Sequence, residues 1–114
     1  MKILIEKNDI ICIKNKHIEV TAKNNNYCFD RSEIVQIDII TTDKGPFYDD
    51  MCLAIRINKE SASTEEVFIF IMSEHPLYEK FLFDELKEII DINYEAIIDA
   101  STCTESKVFM VYKK

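Results

Sequence analysis

The stretch Met51-Cys52-Leu53-Ala54-Ile55-Arg56-Ile57 decides the fold. Leu53, Ile55 and Ile57 fall on one side of it, and Ala54 and Arg56 on the other. A period of two marks a strand with one face in a core and the other toward water. The same alternation recurs upstream. Val35, Ile37 and Ile39 alternate with Gln36 and Asp38, and Ile18, Val20 and Ala22 with Glu19 and Thr21. Further runs at 3–5, 10–13 and 27–29 are short and apolar, while 67–72 holds no polar residue and reads as a strand covered on both faces. Breaks at Asn8-Asp9, Asn15-Lys16 and Asn24-Asn25-Asn26 use residues that tolerate the left-handed backbone of tight turns. Linkers this short favour antiparallel connections, because a parallel crossover needs a dozen or more residues.

The period changes at Ser73. Ser73 followed by Pro76 predicts a helix start, since Ser caps well and Pro suits a first turn that has no use for its missing N–H. Tyr78, Leu82, Leu86 and Ile89 then recur at helical spacing, widened by Leu77, Phe81 and Ile90. A second, shorter helix is expected after Asn93, a good cap that Ile92 and Ile97 bracket as a hydrophobic staple. A closing strand is expected over 107–112. Residues 1–114 thus read as one α+β domain: a strand-rich part over 1–72, a helical part over 73–101, and a last strand. The sheet is expected to be mostly antiparallel. Leu53, Ile55, Phe70, Leu82 and Ile97 are expected to be buried together.

Composition excludes several functions. A single Gly rules out the Gly-rich phosphate loops of nucleotide-binding folds. Cys12, Cys28, Cys52 and Cys103 form no CxxC pair and, with no apolar leader ahead of them, read as reduced thiols in a cytoplasmic chain. Cys12 and Cys28 lie in apolar runs, where a thiol packs as a small hydrophobe. No run of eighteen apolar residues suggests a membrane span.

The net charge of −7 is carried unevenly. Residues 1–40 balance six acids with six bases, while 65–105 hold eleven acids against Lys80 and Lys87. Such a surface repels nucleic acid and anionic membranes, which bind clustered Lys and Arg. It suits a basic protein partner, whose approach long-range attraction would speed. The candidate contact residues are Asp84, Glu85, Glu88, Asp91 and Glu95, expected on the exposed side of the helices. Tyr48, Asp49 and Asp50 join them, as an aromatic flanked by acids makes an anchor for Lys or Arg. In the same loop Gly45 and Pro46 read as a structural turn with Phe47 packed inward, and Asp43, Asp49 and Asp50 as an alternative metal cluster.

Three stretches resemble an uncharacterised family of small bacterial proteins: Thr42-Asp43-Lys44-Gly45-Pro46-Phe47 with Asp49 and Asp50, Asn93-Tyr94-Glu95-Ala96-Ile97-Ile98, and Ser101-Thr102-Cys103-Thr104-Glu105. That resemblance implies a bacterial stand-alone domain and no substrate. The strand-rich half with its following helix is also similar to a pleckstrin-homology-like domain, which implies a partly closed barrel. Size and acidity resemble those of the immunity proteins that inhibit bacterial toxins.

Catalytic machinery is not expected. His17 and His75 are the only imidazoles, and no Ser or Cys sits in a nucleophile motif. Neither a cofactor nor a dedicated metal site is expected. The leading expectation is a non-catalytic, acidic protein-binding module, of the kind an immunity-like inhibitor represents. The alternative is a small enzyme or ligand-binding domain whose site is assembled across the fold, for instance from a Cys–His pair.

Overall fold

The computed structural model describes residues 1–41, 51–58, 66–103 and 105–114. It is an α+β protein with strands β1 (Lys2–Ile5), β2 (Ile10–Lys14), β3 (His17–Ala22), β4 (Asn25–Asp30), β5 (Ile34–Thr41), β6 (Met51–Asn58), β7 (Glu66–Met72) and β8 (Val108–Lys113). A π-helix (Lys80–Glu85) runs into a 3₁₀ turn (Leu86–Glu88), and α1 (Tyr94–Thr102) follows. Five strands form one sheet in the order β1-β7-β6-β5-β8, and three form a second in the order β2-β3-β4. The two sheets remain separate, and no closed barrel forms among the described residues.

The three-stranded sheet follows directly from its turns. Asn15 and Lys16 both have positive φ, as do Lys23 and Asn24, so each hairpin turns in two residues. Two successive positive φ values match the twist of the flanking strands. The second turn falls one residue earlier than the Asn run suggests, and Asn25 and Asn26 belong to β4. Asp30 then accepts from Ser32 N while Glu33 Oε1 accepts from Asp30 N (2.9 Å), a reciprocal cap that turns the chain from one sheet into the other.

In the larger sheet the antiparallel expectation holds for every pair but one. β1 pairs in parallel with β7, Lys2 opposite Phe68 and Ile5 opposite Ile71. The long chain between them supplies the crossover that a parallel pair requires. β5 carries register irregularities between Ile34 and Gln36 and between Ile37 and Asp38. They put Ile34, Ile37 and Ile39 inward and leave Val35 half-buried, out of the simple alternation.

One hydrophobic cluster joins the inner face of the large sheet to the small sheet and the helical segments. Leu53, Ile55, Leu82 and Ile97 are buried in it, with Phe29, Phe81 and Ile69. Phe70 is not among them. It lies on the opposite face of β7, half-buried and stacked near Phe68, because β7 turns only Val67, Ile69 and Ile71 inward. Strand β7 is therefore apolar on both faces but covered on one.

The stripe Tyr78, Leu82, Leu86 and Ile89 is buried as its spacing requires. The helix start differs from the expectation. Ser73 N–H donates to Met51 O, and His75 braces the turn that leads into the helix, its Nδ1 accepting from Leu77 N at 3.0 Å. At α1 the expected cap is present, with Asn93 Oδ1 accepting from Ala96 N at 3.3 Å.

Two sheet edges are sealed by these helical segments. Asn93 N–H donates to Val111 O on β8 (2.9 Å), and Glu85 Oε1 accepts from Ile13 N on β2 (3.4 Å). No described helix is long and apolar enough to cross a membrane.

Candidate functional site

Between the π-helix and α1 lies a cleft of about 190 Å³, lined by Ile39, Met51, Tyr78, Glu79, Leu82, Phe83, Ile97 and Ser101. Its floor is core, since Ile39, Leu82 and Ile97 are buried. Its rim is mixed. Phe83 is 41% exposed although the apolar stripe on its helix faces inward, and Glu79 is exposed beside it.

On α1 the outward positions are Tyr94, Glu95, Ile98 and Asp99. Tyr94 and Ile98, four residues apart, share one face, as do Glu95 and Asp99. Ile98 is 61% exposed, an unusual position for so large an aliphatic side chain. This helical surface thus interleaves apolar groups with carboxylates.

Of the acids picked out by charge alone, Asp84, Glu88, Asp91 and Glu95 are exposed. Asp84 is on the π-helix, Glu88 in the 3₁₀ turn and Glu95 in the first turn of α1, whereas Asp91 sits in the connector and on neither helix. Glu85 is the correction. It is half-buried, and its carboxylate turns back to the edge of β2 instead of outward. Tyr48, Asp49 and Asp50 lie outside the described residues, together with Asp43, Gly45, Pro46 and Phe47. Sequence reasoning missed Phe83, Tyr94 and Ile98. Their signal was phase: Phe83 and Ile98 are apolar residues at outward positions of otherwise amphipathic segments.

A larger groove of about 510 Å³ lies at the carboxyl ends of β1 and β7, lined by Leu4, Ile5, Glu6, Lys7, Met72, Glu74, His75 and Pro76. His75 is buried against it, and both ring nitrogens are engaged by backbone: Nδ1 accepts from Leu77 N, and Nε2 donates to Glu6 O at 2.9 Å. That pattern fixes the neutral Nε2–H tautomer and makes His75 a brace between β1 and the helix start. His17 Nδ1 lies 3.1 Å from Asp30 Oδ1 without the alignment of a hydrogen bond.

No disulfide joins any of Cys12, Cys28, Cys52 and Cys103. Cys28 is exposed, so it is no packing thiol, and Cys12 is half-buried on the same outward row of the small sheet, with Glu19 between them. Burial raises the Cys12 pKa above its ordinary value, and the nearby Glu85 and Glu19 carboxylates add to the rise against the opposing pull of Lys14 and Lys80. A thiol held protonated is a poor nucleophile. Among the described residues no group of three or more His, Cys, Asp and Glu side chains could hold a metal ion. No family model, curated protein or solved structure matches the chain.

Proposed function

We propose that the protein is a non-catalytic docking module that binds a basic partner through its helical surface, in the manner of an immunity-like inhibitor. The observation that carries this reading is the cleft beside Phe83, where apolar groups border the exposed carboxylate of Glu79. Acids alone would serve solubility. Exposed Phe83, Tyr94 and Ile98 among them match the aromatic and aliphatic anchors, ringed by charge, of a protein interface. A partner segment carrying Lys or Arg beside an apolar side chain fits that pattern.

The test is capture from a native lysate followed by binding kinetics at two salt concentrations. Asp84→Asn with Glu88→Gln should slow association more than it speeds dissociation, because rim charges act by steering. Phe83→Ser should instead speed dissociation. Recovery of no basic partner, or association indifferent to salt, defeats the proposal.

The groove beside His75 favours a second reading, a small-ligand domain, since its volume falls in the range of such sites. A thermal-shift screen separates the two: stabilisation by a small molecule that Met72→Glu abolishes supports the ligand domain.

A further inference from the structure

The outer face of the five-stranded sheet carries three transverse rows of side chains. Leu4, Phe70, Ala54, Asp38 and Met110 form the middle row. Met72, Cys52, Ile40 and Val108 form the row on one side. Lys2, Phe68, Arg56, Gln36 and Lys113 form the row on the other. A sheet face turned to water is ordinarily polar. This one is chiefly apolar, with two stacked phenyl rings at 6.3 Å near its middle and Leu4, Val108 and Met110 47%, 63% and 50% exposed. The helical segments and the small sheet join the core cluster on the face opposite this one.

We infer that this face pairs with the same face of a second copy, making the protein a sheet-to-sheet homodimer. Three observations select that occupant. The first is charge. Two copies of a chain at −7 repel wherever their acids meet, but this face sets Lys2, Arg56 and Lys113 against Asp38 and Glu66 only. Among the described residues it is a surface on which the chain can meet itself without opposing its own excess charge.

The second is that the polar groups these rows place on the three inner strands are matched internally. Arg56 Nη2 pairs with Glu66 Oε1 at 2.5 Å, and Gln36 Nε2 donates to both carboxylate oxygens of Asp38 at 2.9 and 3.0 Å. The hydrogen bond from Arg56 to Glu66, ahead of their charge attraction, also raises the Arg56 pKa. Groups already paired ask little of a partner beyond apolar surface, which an identical face supplies.

The third is area. Five strands about 4.8 Å apart and six residues of about 3.3 Å give a face of roughly 480 Å² in projection. Two such faces remove on the order of 1,000 Å² from water, which reaches the threshold of a specific interface. Sheets of the same twist stack face to face about 10 Å apart, as in a sandwich.

Sedimentation equilibrium over a concentration series tests this. The wild type should be dimeric at about 50 μM, a concentration that a micromolar dissociation constant easily exceeds. Leu4→Glu combined with Met110→Glu should weaken association by about 100-fold or more, because it buries unpaired carboxylates. Both positions are about half exposed, so circular dichroism and melting temperature should stay those of the wild type. If the double variant misfolds, Val108→Glu, at a still more exposed position, carries the test alone. A wild type that stays monomeric, or a dimer that none of these variants loosens, overturns the inference. So does a dimer that Phe83→Ser dissociates, for that would place the contact on the helical surface.

Discussion

The helical surface and the outer face of the large sheet are built from the same chain under opposite rules. On the helical side the exposed apolar groups Phe83, Tyr94 and Ile98 stand among exposed carboxylates, with a cleft of about 190 Å³ at Phe83. On the sheet side the charges are few, with Arg56 paired to Glu66 and Asp38 held by Gln36 among apolar groups. Long-range attraction favours fast, salt-sensitive encounter, whereas broad apolar contact favours lasting association. Under the two proposals above, the surfaces take different kinds of contact, a foreign basic chain on one and an identical copy on the other.

The strongest way to break the comparison is Leu82→Ala. Leu82 is 1% exposed beneath the cleft, so its truncation should cost about 2–5 kcal/mol in chemical denaturation. Partner binding should weaken with it while self-association persists, because the mutated residue lies on the far side of the sheet. A loss within half a kcal/mol would mean that the helical segments are not docked on the core.

A smaller effect sharpens the picture of the acids. Glu85→Ala should cost about 1 kcal/mol, since it leaves Ile13 N–H without its carboxylate at the edge of β2. Asp84→Ala, at an exposed neighbour, should stay within about 0.5 kcal/mol. Equal values for the two would remove the distinction between a structural and a surface carboxylate.

The smallest effect lies at Asp30, far in sequence from the acidic surface. Hydrogen bonds from the Ser32 side chain and backbone, with the weaker attraction of His17 and Arg31, lower its pKa below the ordinary 3.8. A lowered folded-state value means that the fold prefers the ionised form. The resulting stabilisation is complete above the ordinary value and is lost as pH falls through the lower folded one. Thermal melts should therefore separate wild type from Asp30→Asn near neutrality and bring them together in strong acid. A gap unchanged by pH would show that the cap acts through geometry alone.

Much of this architecture was legible in the residues. Alternation located the strands because one face of each is buried, and the Tyr78–Leu82–Leu86–Ile89 spacing found the buried stripe although the helix is π-type and then 3₁₀. Pairing between distant strands was not legible. Nothing local in Lys2–Ile5 states that its partner is β7 or that the two run parallel. Phe70 was misplaced for a related reason: in a strand apolar on both faces, composition does not reveal which phase turns inward. Charge counting found the exposed Asp84, Glu88, Asp91 and Glu95, yet it could not tell Glu85 apart, because that carboxylate is claimed by a backbone amide seventy-two residues away. The exposure of Phe83, Tyr94 and Ile98 was not legible either, because a charge count carries no information on the apolar residues between the acids.

The parallel pairing of β1 with β7 also sets an order of events during synthesis. The hairpins of β2, β3 and β4 close over two-residue turns and can form as soon as they emerge. β1 is made before them, yet Lys2 must wait for Phe68, and the loop between them must close before any contact repays it. Until β7 appears, Ile3 and Ile5 have no sheet to enter. The first of the described strands to be made is thus among the later ones to find its place.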